Sequence, residues 1–151
     1  MRVFTTLDEV AAASGEDIGT SDWVSIEQDR VNRFAEATGD HQWIHVDEER
    51  SASGPFGGTI AHGYLTLSLV PYLGSQVLSF ETPGAKLNYG ANKVRFPHPV
   101  RVGKRIRAHV AIGDVADLPA GKQVTIRYTI EIEDEAKPAC VAETVVLLLS
   151  S

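Results

Sequence analysis

The sequence has a single cysteine, no long apolar run and few basic residues. The one cysteine, Cys140, cannot form an internal disulfide, which favours a reducing compartment. No apolar run approaches the roughly 20 residues of a membrane-spanning helix, and residues 1–19 lack the apolar h-region of a signal peptide. The 14 lysines and arginines against 20 acidic residues give a net charge of −6, which argues against a general nucleic-acid binder. We therefore expect a cytoplasmic protein that binds neither membranes nor nucleic acid.

The composition is that of an ordinary globular protein. Hydrophobic residues make up 43% and charged residues 23% of the 151 residues, which excludes wholesale disorder. A chain of this length buries about 68–70% of its unfolded surface and can build a core without disulfides or metals. We expect one domain over residues 1–151.

The first part of the chain has the start and stop signals of helices. Thr6 and Glu9 form a capping box, and Ser25 and Gln28 have the spacing of a second one. The helix expected after Ser25 ends before Gly39, since glycine is favoured just beyond a helix C-terminus. Its apolar face comprises Val31, Phe34 and Ala35.

A longer apolar helix is expected after the glycine-rich loop at residues 54–58. The run from Tyr64 to Leu73 is apolar nearly all round, which is typical of a buried helix. Pro71 is expected to kink or end this helix.

After Gly84 the hydrophobic pattern changes to a period of two, as in strands with one buried face. Residues 139–149 are apolar on both faces, as in a central strand. The alternation slips by one residue at 90–92, which indicates a β-bulge. The predicted fold class is α+β, with a curved antiparallel sheet of three or four strands around the buried helix.

The densest polar segment, residues 39–47, follows a helix end. Asp40 and His45 lie five residues apart, and a histidine near a carboxylate is typical material for proton transfer close to neutral pH. A purely structural loop is an alternative. A metal site built from His41, His45 and Asp47 is another, but no third histidine at a suitable spacing and no cysteine partner supports it, so we expect no metal.

The segment Ala61-His62-Gly63 stands at the start of the apolar helix. Backbone amides there lack intrahelical acceptors, and a glycine lets an acyl oxygen approach closely. Such amides can form an oxyanion hole. Alternatively, Gly63 only allows close packing; His62 is expected to be structural.

Basic residues are concentrated in one acid-free segment, residues 86–107, which suggests an edge that binds anions such as a phosphorylated ligand. A solvated strand face is the alternative. The basic residues are Lys86, Lys93, Arg95, Arg101, Lys104, Arg105 and Arg107. Cys140 lies in an apolar segment and is expected to be a core residue rather than a nucleophile.

The segments GDHQWIHVD and GPFGGTIAHGYLTLSLVPYL resemble the MaoC-like dehydratases, the (R)-specific enoyl-CoA hydratases, and YGANKVRFPHPV is similar to the nodulation protein N-like subgroup. The resemblance implies a single hot-dog domain, with an antiparallel sheet wrapped around a long central helix, and a homodimer. It implies that Asp40 and His45 are the catalytic pair and that Gly63 is the oxyanion-hole donor. Some relatives have a supporting serine where this chain has residues 69–71; Asn92, at the bulge, is a candidate replacement.

The function implied by the resemblance is reversible hydration of trans-2-enoyl-CoA to (R)-3-hydroxyacyl-CoA, with coenzyme A as part of the substrate and no cofactor. His45 is expected to activate water, while Asp40 protonates C2 from a dry pocket that raises its pKa. Lys93 and Arg95 are expected to contact the coenzyme A phosphates, and Tyr64 to shape the pocket. The alternatives are an acyl-CoA thioesterase on the same fold and a non-catalytic acyl-CoA-binding protein.

Overall fold

A computed structural model describes residues 1–151. It contains eight strands and six short helices. The strands are β1 (Arg2–Phe4), β2 (Asp17–Thr20), β3 (Val24–Ser25), β4 (Leu78–Phe80), β5 (Lys86–Arg95), β6 (Arg105–Leu118), β7 (Gly121–Ile132) and β8 (Cys140–Leu149). The helices are α1 (Leu7–Ala12), α2 (Gln28–Thr38), α3 (Trp43–Val46), α4 (Glu48–Ala52), α5 (Gly63–Ser68) and α6 (Val70–Gly74).

One antiparallel sheet dominates the fold. Its strand order is β2-β6-β7-β8-β5, and β3 pairs with the same strand, β6, as β2 does. Strands β6 and β7 alternate buried with more accessible residues over much of their length, as the period of two predicts, whereas β8 shows no such alternation. Strand β8 lies between β7 and β5, which confirms the central strand expected at the C-terminus. The small parallel pair of β1 and β4 was not predicted.

Strand β5 forms one edge of the sheet and is irregular. Its register against β8 shifts twice, between Asn88 and Gly90 and between Ala91 and Lys93, which confirms the expected bulge. Nine of its ten residues are exposed, and only Val94 packs partly against the core. The strand ends at Arg95, and Phe96 follows it directly.

Two capping boxes were predicted, and one of them forms; both helices are present. Thr6 accepts from the Glu9 amide and Glu9 reaches back, so the box at α1 is confirmed. The box at Ser25 and Gln28 is wrong. Ser25 belongs to β3 and its hydroxyl donates to Glu27, which occupies the N-cap position of α2 without a side-chain bond.

The predicted end of α2 is confirmed. Gly39 has a left-handed φ of 80° and its N–H donates to the Ala35 carbonyl. Val31 and Ala35 are buried on the inner face of the helix. The turn at Gly39 therefore directs Asp40 out of the helix.

The apolar helix is shorter and less buried than predicted. It divides into α5 and α6 around Leu69, and Pro71 lies in the first turn of α6, where a missing N–H costs little. Leu65, Val70 and Leu73 face the core, whereas Tyr64 is 70% exposed. The helix thus has one open side, because the two tyrosines in the run stand on its outer face.

The main core lies between the sheet and these helices and forms one cluster of 25 buried residues. Its largest fully buried side chains include Phe4, Ile26, Leu73, Ile112 and Ile126. Cys140 is buried among them, and burial raises the pKa of its thiol to about 11, which confirms a core role. No helix of this fold has both the length and the apolarity needed to cross a membrane.

Candidate active site

Asp40 and His45 come together because α2 ends and α3 begins between them. Asp40 follows the left-handed turn at Gly39, and the Gln42 N–H donates weakly to its Oδ1 over 3.3 Å. His45 lies on α3 and is buried, with 6% of its surface exposed. Asp40 itself is exposed, so the dry pocket expected around it is not formed by this chain alone.

The ring of His45 has a defined orientation. Its Nδ1 lies 2.7 Å from the carbonyl oxygen of Ile60. A carbonyl oxygen only accepts, so Nδ1 holds the proton and the lone pair of neutral His45 is on Nε2. Burial lowers the pKa of His45 below its ordinary value, and the neighbouring His62 lowers it further, while the Ile60 bond and Asp40 act in the opposite direction. The structure therefore favours a neutral imidazole with a free acceptor nitrogen.

His62 is part of this site, although the sequence predicts only a structural role for it. The side chain is 3% exposed, and its ring stacks on that of His45 with centroids 3.8 Å apart and planes inclined by 23°. Its Nε2 donates to the Asp40 carbonyl oxygen over 3.0 Å, and its Nδ1 is buried without a partner. The Ala-His-Gly segment is the only feature of the sequence that points to His62. The residues that its side chain contacts are far from it in the sequence, so its role in the site could not be predicted.

The three side chains form a compact cluster. One ligand-type atom from each of Asp40, His45 and His62 lies within 4.8 Å of the other two. Because the imidazoles are stacked, their in-plane lone pairs run side by side rather than converging on one point. The alternative metal set is not assembled either: exposed His41 faces Glu36, and Asp47 caps α4 at the Arg50 N–H.

Gly63 begins α5 directly after His62, so its N–H has no intrahelical acceptor. A cavity of about 310 Å³ adjoins both Gly63 and His45. The ring of Phe96 lies against Gly63, where an added Cβ would be 3.1 Å from two of the ring carbons. The cavity lining includes His45, Phe56, Ile60, Gly63, Thr66 and Phe96. The fold therefore places a free backbone donor beside the buried base.

The candidate substrate-binding residues lie around this cavity rather than in it. Exposed Tyr64 packs its ring edge-on against Phe96, with centroids 6.1 Å apart. Lys93 and Arg95 are exposed on β5, and the Arg95 guanidinium donates to the Val94 carbonyl. Asn92 donates to Glu143 across the sheet and does not line the cavity.

The basic segment divides into paired and unpaired residues. Arg105 and Arg107 form ion pairs with Glu133 and Glu131 on the neighbouring strand, as the solvated-face alternative predicts. Lys93 and Arg95 form no such pairs. Lys86 on β5, and Arg101 and Lys104 beyond it, also form no ion pair, so free positive charge remains on both parts of the segment.

Comparison with known proteins identifies the family of the chain. The family model described as "MaoC like domain" matches residues 9–133. The 3-hydroxyacyl-thioester dehydratase Z of Mycobacterium tuberculosis is 56% identical over 147 residues, covering 97% of both chains. Nodulation protein N of Rhizobium meliloti is 41% identical and covers 94% of this chain and 90% of its own.

A solved structure gives the same result at the level of the fold. The (R)-hydratase from A. caviae, involved in PHA biosynthesis, superposes with a TM-score of 0.72 at 25% identity, covering 88% of this chain and 96% of its own. The chain therefore belongs to the MaoC-like dehydratase family and is a hydro-lyase with the hot-dog fold.

Proposed function

We propose that the protein is an (R)-specific enoyl-CoA hydratase, which adds water reversibly to trans-2-enoyl-CoA to give (R)-3-hydroxyacyl-CoA. The observation that carries the proposal is the hydrogen bond from His45 to the Ile60 carbonyl, because it leaves an acceptor nitrogen beside a carboxylate. The similarity to a 3-hydroxyacyl-thioester dehydratase and to an (R)-hydratase supports the substrate class and the product configuration.

The spacing of Asp40 and His45 suits one bridging water. A water that makes two hydrogen bonds of about 2.8 Å each spans roughly 4–5 Å between its partners. One ligand-type atom of Asp40 lies within 4.8 Å of one in His45. In the proposal, the water donates one proton to each side chain and presents its lone pair to the substrate.

The proposed reaction begins with polarisation of the thioester carbonyl by the Gly63 N–H, which makes C3 electrophilic. The water oxygen bonds to C3 while His45 Nε2 takes its proton, and the electron pair of the C2–C3 double bond moves towards the carbonyl oxygen. The imidazolium then returns the proton to C2 of the enolate, so one water is added in total. Asp40 orients the water. This division differs from the sequence-based expectation, which made Asp40 the acid, because Asp40 is exposed.

Coenzyme A enters this proposal as part of the substrate, and no resident cofactor is required. The unpaired charges of Lys93 and Arg95 on β5 would meet its phosphates, since β5 leads into the cavity through Phe96. Tyr64 would border the cavity mouth beside the same ring.

We also propose that the protein is a homodimer that pairs through β5. This strand has a partner on one side only, so its other edge presents unpaired backbone groups. Exposed apolar side chains stand on the same strand, directly after it and on α5, which is typical of an interaction surface. These side chains are Tyr64, Leu87, Tyr89 and Phe96.

The test is hydration of crotonyl-CoA by the purified protein. We expect loss of the enone absorbance without release of free thiol, and a product that chiral chromatography identifies as (R)-3-hydroxybutyryl-CoA. Thiol release would instead indicate a thioesterase. A thermal shift with crotonyl-CoA but no turnover of crotonyl-CoA or longer enoyl-CoA substrates would indicate a binding protein.

A further inference from the structure

His62 contacts both members of the candidate catalytic pair, Asp40 and His45. It stands at the N-cap of α5, immediately before Gly63. Its ring lies between two others: it stacks on His45 and packs at a 60° tilt against Phe34 of α2, with centroids 4.9 Å apart. One side chain thus joins α2, α3 and the start of α5.

The hydrogen bond of His62 explains why a histidine, rather than an apolar aromatic residue, suits this position. Its Nε2–H donates to the backbone carbonyl of Asp40, and its Nδ1 is buried without any partner. A phenylalanine would fill the same space without burying an unpaired nitrogen. The N–H donated to Asp40 is therefore the one contact that requires a polar ring here.

The loop that contains Asp40 has few other restraints. Asp40 is exposed, and the remaining hydrogen bonds to it are long: its own N–H reaches the Thr38 hydroxyl at 3.4 Å, and the Gln42 N–H reaches its carboxylate at 3.3 Å. The bond from His62 is the shortest of the three. Loss of this bond would release the loop on the side that faces His45.

We propose that His62 is a positioning residue, which holds Asp40 at a fixed distance from His45 and orients the imidazole plane of His45 by stacking. The proposal rests on the proposed hydratase function for its kinetic consequence only. His62 does not itself touch the reacting atoms, since its one donor is occupied by Asp40. Its effect on rate would arise through alignment of the water-binding pair.

Two substitutions separate the hydrogen bond from the ring. His62→Phe keeps an aromatic ring against His45 and removes the N–H. His62→Gln keeps an N–H at a comparable reach and removes the ring. We expect His62→Phe to lower kcat for crotonyl-CoA on the order of tenfold to a hundredfold with KM changed less than about twofold. We expect His62→Gln to recover most of that loss.

A measurement without substrate tests the same placement. The titratable groups that face His45 are Asp40 from the loop, His62 from α5 and His98 from the cavity wall. NMR titration of the ring protons, with His45 assigned from the spectrum of His45→Gln, gives its pKa directly. Loss of His62 removes an influence that lowers the pKa of His45 in both variants, but His62→Phe also releases Asp40, which raises that pKa. We therefore expect the pKa of His45 to be higher in His62→Gln than in His62→Phe.

The outcomes are distinguishable. An unchanged kcat in folded His62→Phe, together with equal pKa values of His45 in the two variants, would overturn the proposal. Equal loss of kcat in both variants, in proportion to the unfolded fraction and with equal pKa values of His45, would do the same and would indicate a packing role. If the wild-type protein hydrates no enoyl-CoA, the proposed function fails, and the NMR titration still decides the placement of His62.

Discussion

The His45 imidazole and the Ile60 carbonyl are joined by a 2.7 Å hydrogen bond that decides which ring nitrogen can act as a base. Ile60 is itself fixed on both sides, since its N–H donates to Ile44 and it bridges to Arg101. The tautomer of the proposed base is therefore set by the backbone rather than by another titratable side chain.

The first prediction concerns the catalytic pair. Asp40→Asn and His45→Gln should each lower kcat for crotonyl-CoA hydration by roughly 10²–10⁴-fold, because asparagine lacks the negative charge that orients the water and glutamine cannot take up its proton. Steady-state kinetics measure the effect, and circular dichroism checks the fold. His41→Gln is the matched control, since His41 is exposed in the same segment and faces only Glu36. Near-normal turnover in either variant would remove that residue from the mechanism.

The second prediction concerns the backbone donor. Gly63→Ala should lower kcat/KM by about tenfold or more, because its Cβ would stand 3.1 Å from the Phe96 ring and displace either the ring or the donor. Phe96→Leu should restore part of the activity when combined with Gly63→Ala. The control is Gly90→Ala, where a Cβ meets nothing within 4 Å. Equal effects of the two alanine substitutions would contradict the role of Gly63.

The third prediction concerns pH. Burial depresses the pKa of folded His45 below 6.5, so the acidic limb of the kcat/KM profile should have its midpoint below that value. The same depression affects stability: as the pH falls below 6.5, the unfolded chain takes up the proton first and the folded state loses stability until the pH passes the folded pKa. Urea unfolding at a series of pH values should show this loss in the wild type and a smaller one in His45→Gln. A midpoint above 6.5 would rule out a buried neutral base.

The fourth prediction concerns the coenzyme A phosphates. Lys93→Glu and Arg95→Glu should each raise KM for crotonyl-CoA several-fold and leave KM for crotonyl-pantetheine, which lacks the nucleotide phosphates, almost unchanged. The increase should shrink at high salt. Lys137→Glu, an exposed charge reversal in the loop between β7 and β8, is the control. Parallel loss with both substrates would indicate a folding role for these side chains.

The fifth prediction concerns assembly. Sedimentation equilibrium should give twice the chain mass of 16.3 kDa. Tyr89→Lys, which places a charge on the exposed edge strand, should shift the protein towards monomer. Tyr72→Lys is a comparison of the same chemistry on α6, where the exposed ring has Arg30 of α2 beside it. A monomeric wild type would exclude the proposed dimer.

Local signals predict the fold best where the partners are close in sequence. The capping box of Thr6 and Glu9 needs only one turn of helix, and it forms as expected. Ser25 does not form its predicted capping box, because β3 pairs with β6 and Ser25 is part of β3. The Gln28 side chain instead donates to the carbonyl of His45 and accepts from the hydroxyl of Thr59. Pairing with distant strands overrides a local capping preference.

The site follows the same rule. The close approach of Asp40 and His45 is foreseeable, because five residues and a helix end separate them. The role of His62 is not, since its contacts with Phe34, Asp40 and His45 cross intervals that only the folded chain closes. The exposed side of α5 and α6 was missed because tyrosine counts as apolar in a periodicity pattern but tolerates water at its hydroxyl.

The geometry of the site depends on the backbone conformation of Gly39, although Gly39 has no side chain to make a contact. A methyl group added there would meet nothing within 4 Å, yet the backbone has a φ of 80°, which only glycine adopts without strain. A bulkier residue would fit the available space and still rotate the following peptide, moving the carboxylate away from the imidazole. Variants at this position would therefore behave as active-site variants although they touch neither water nor substrate.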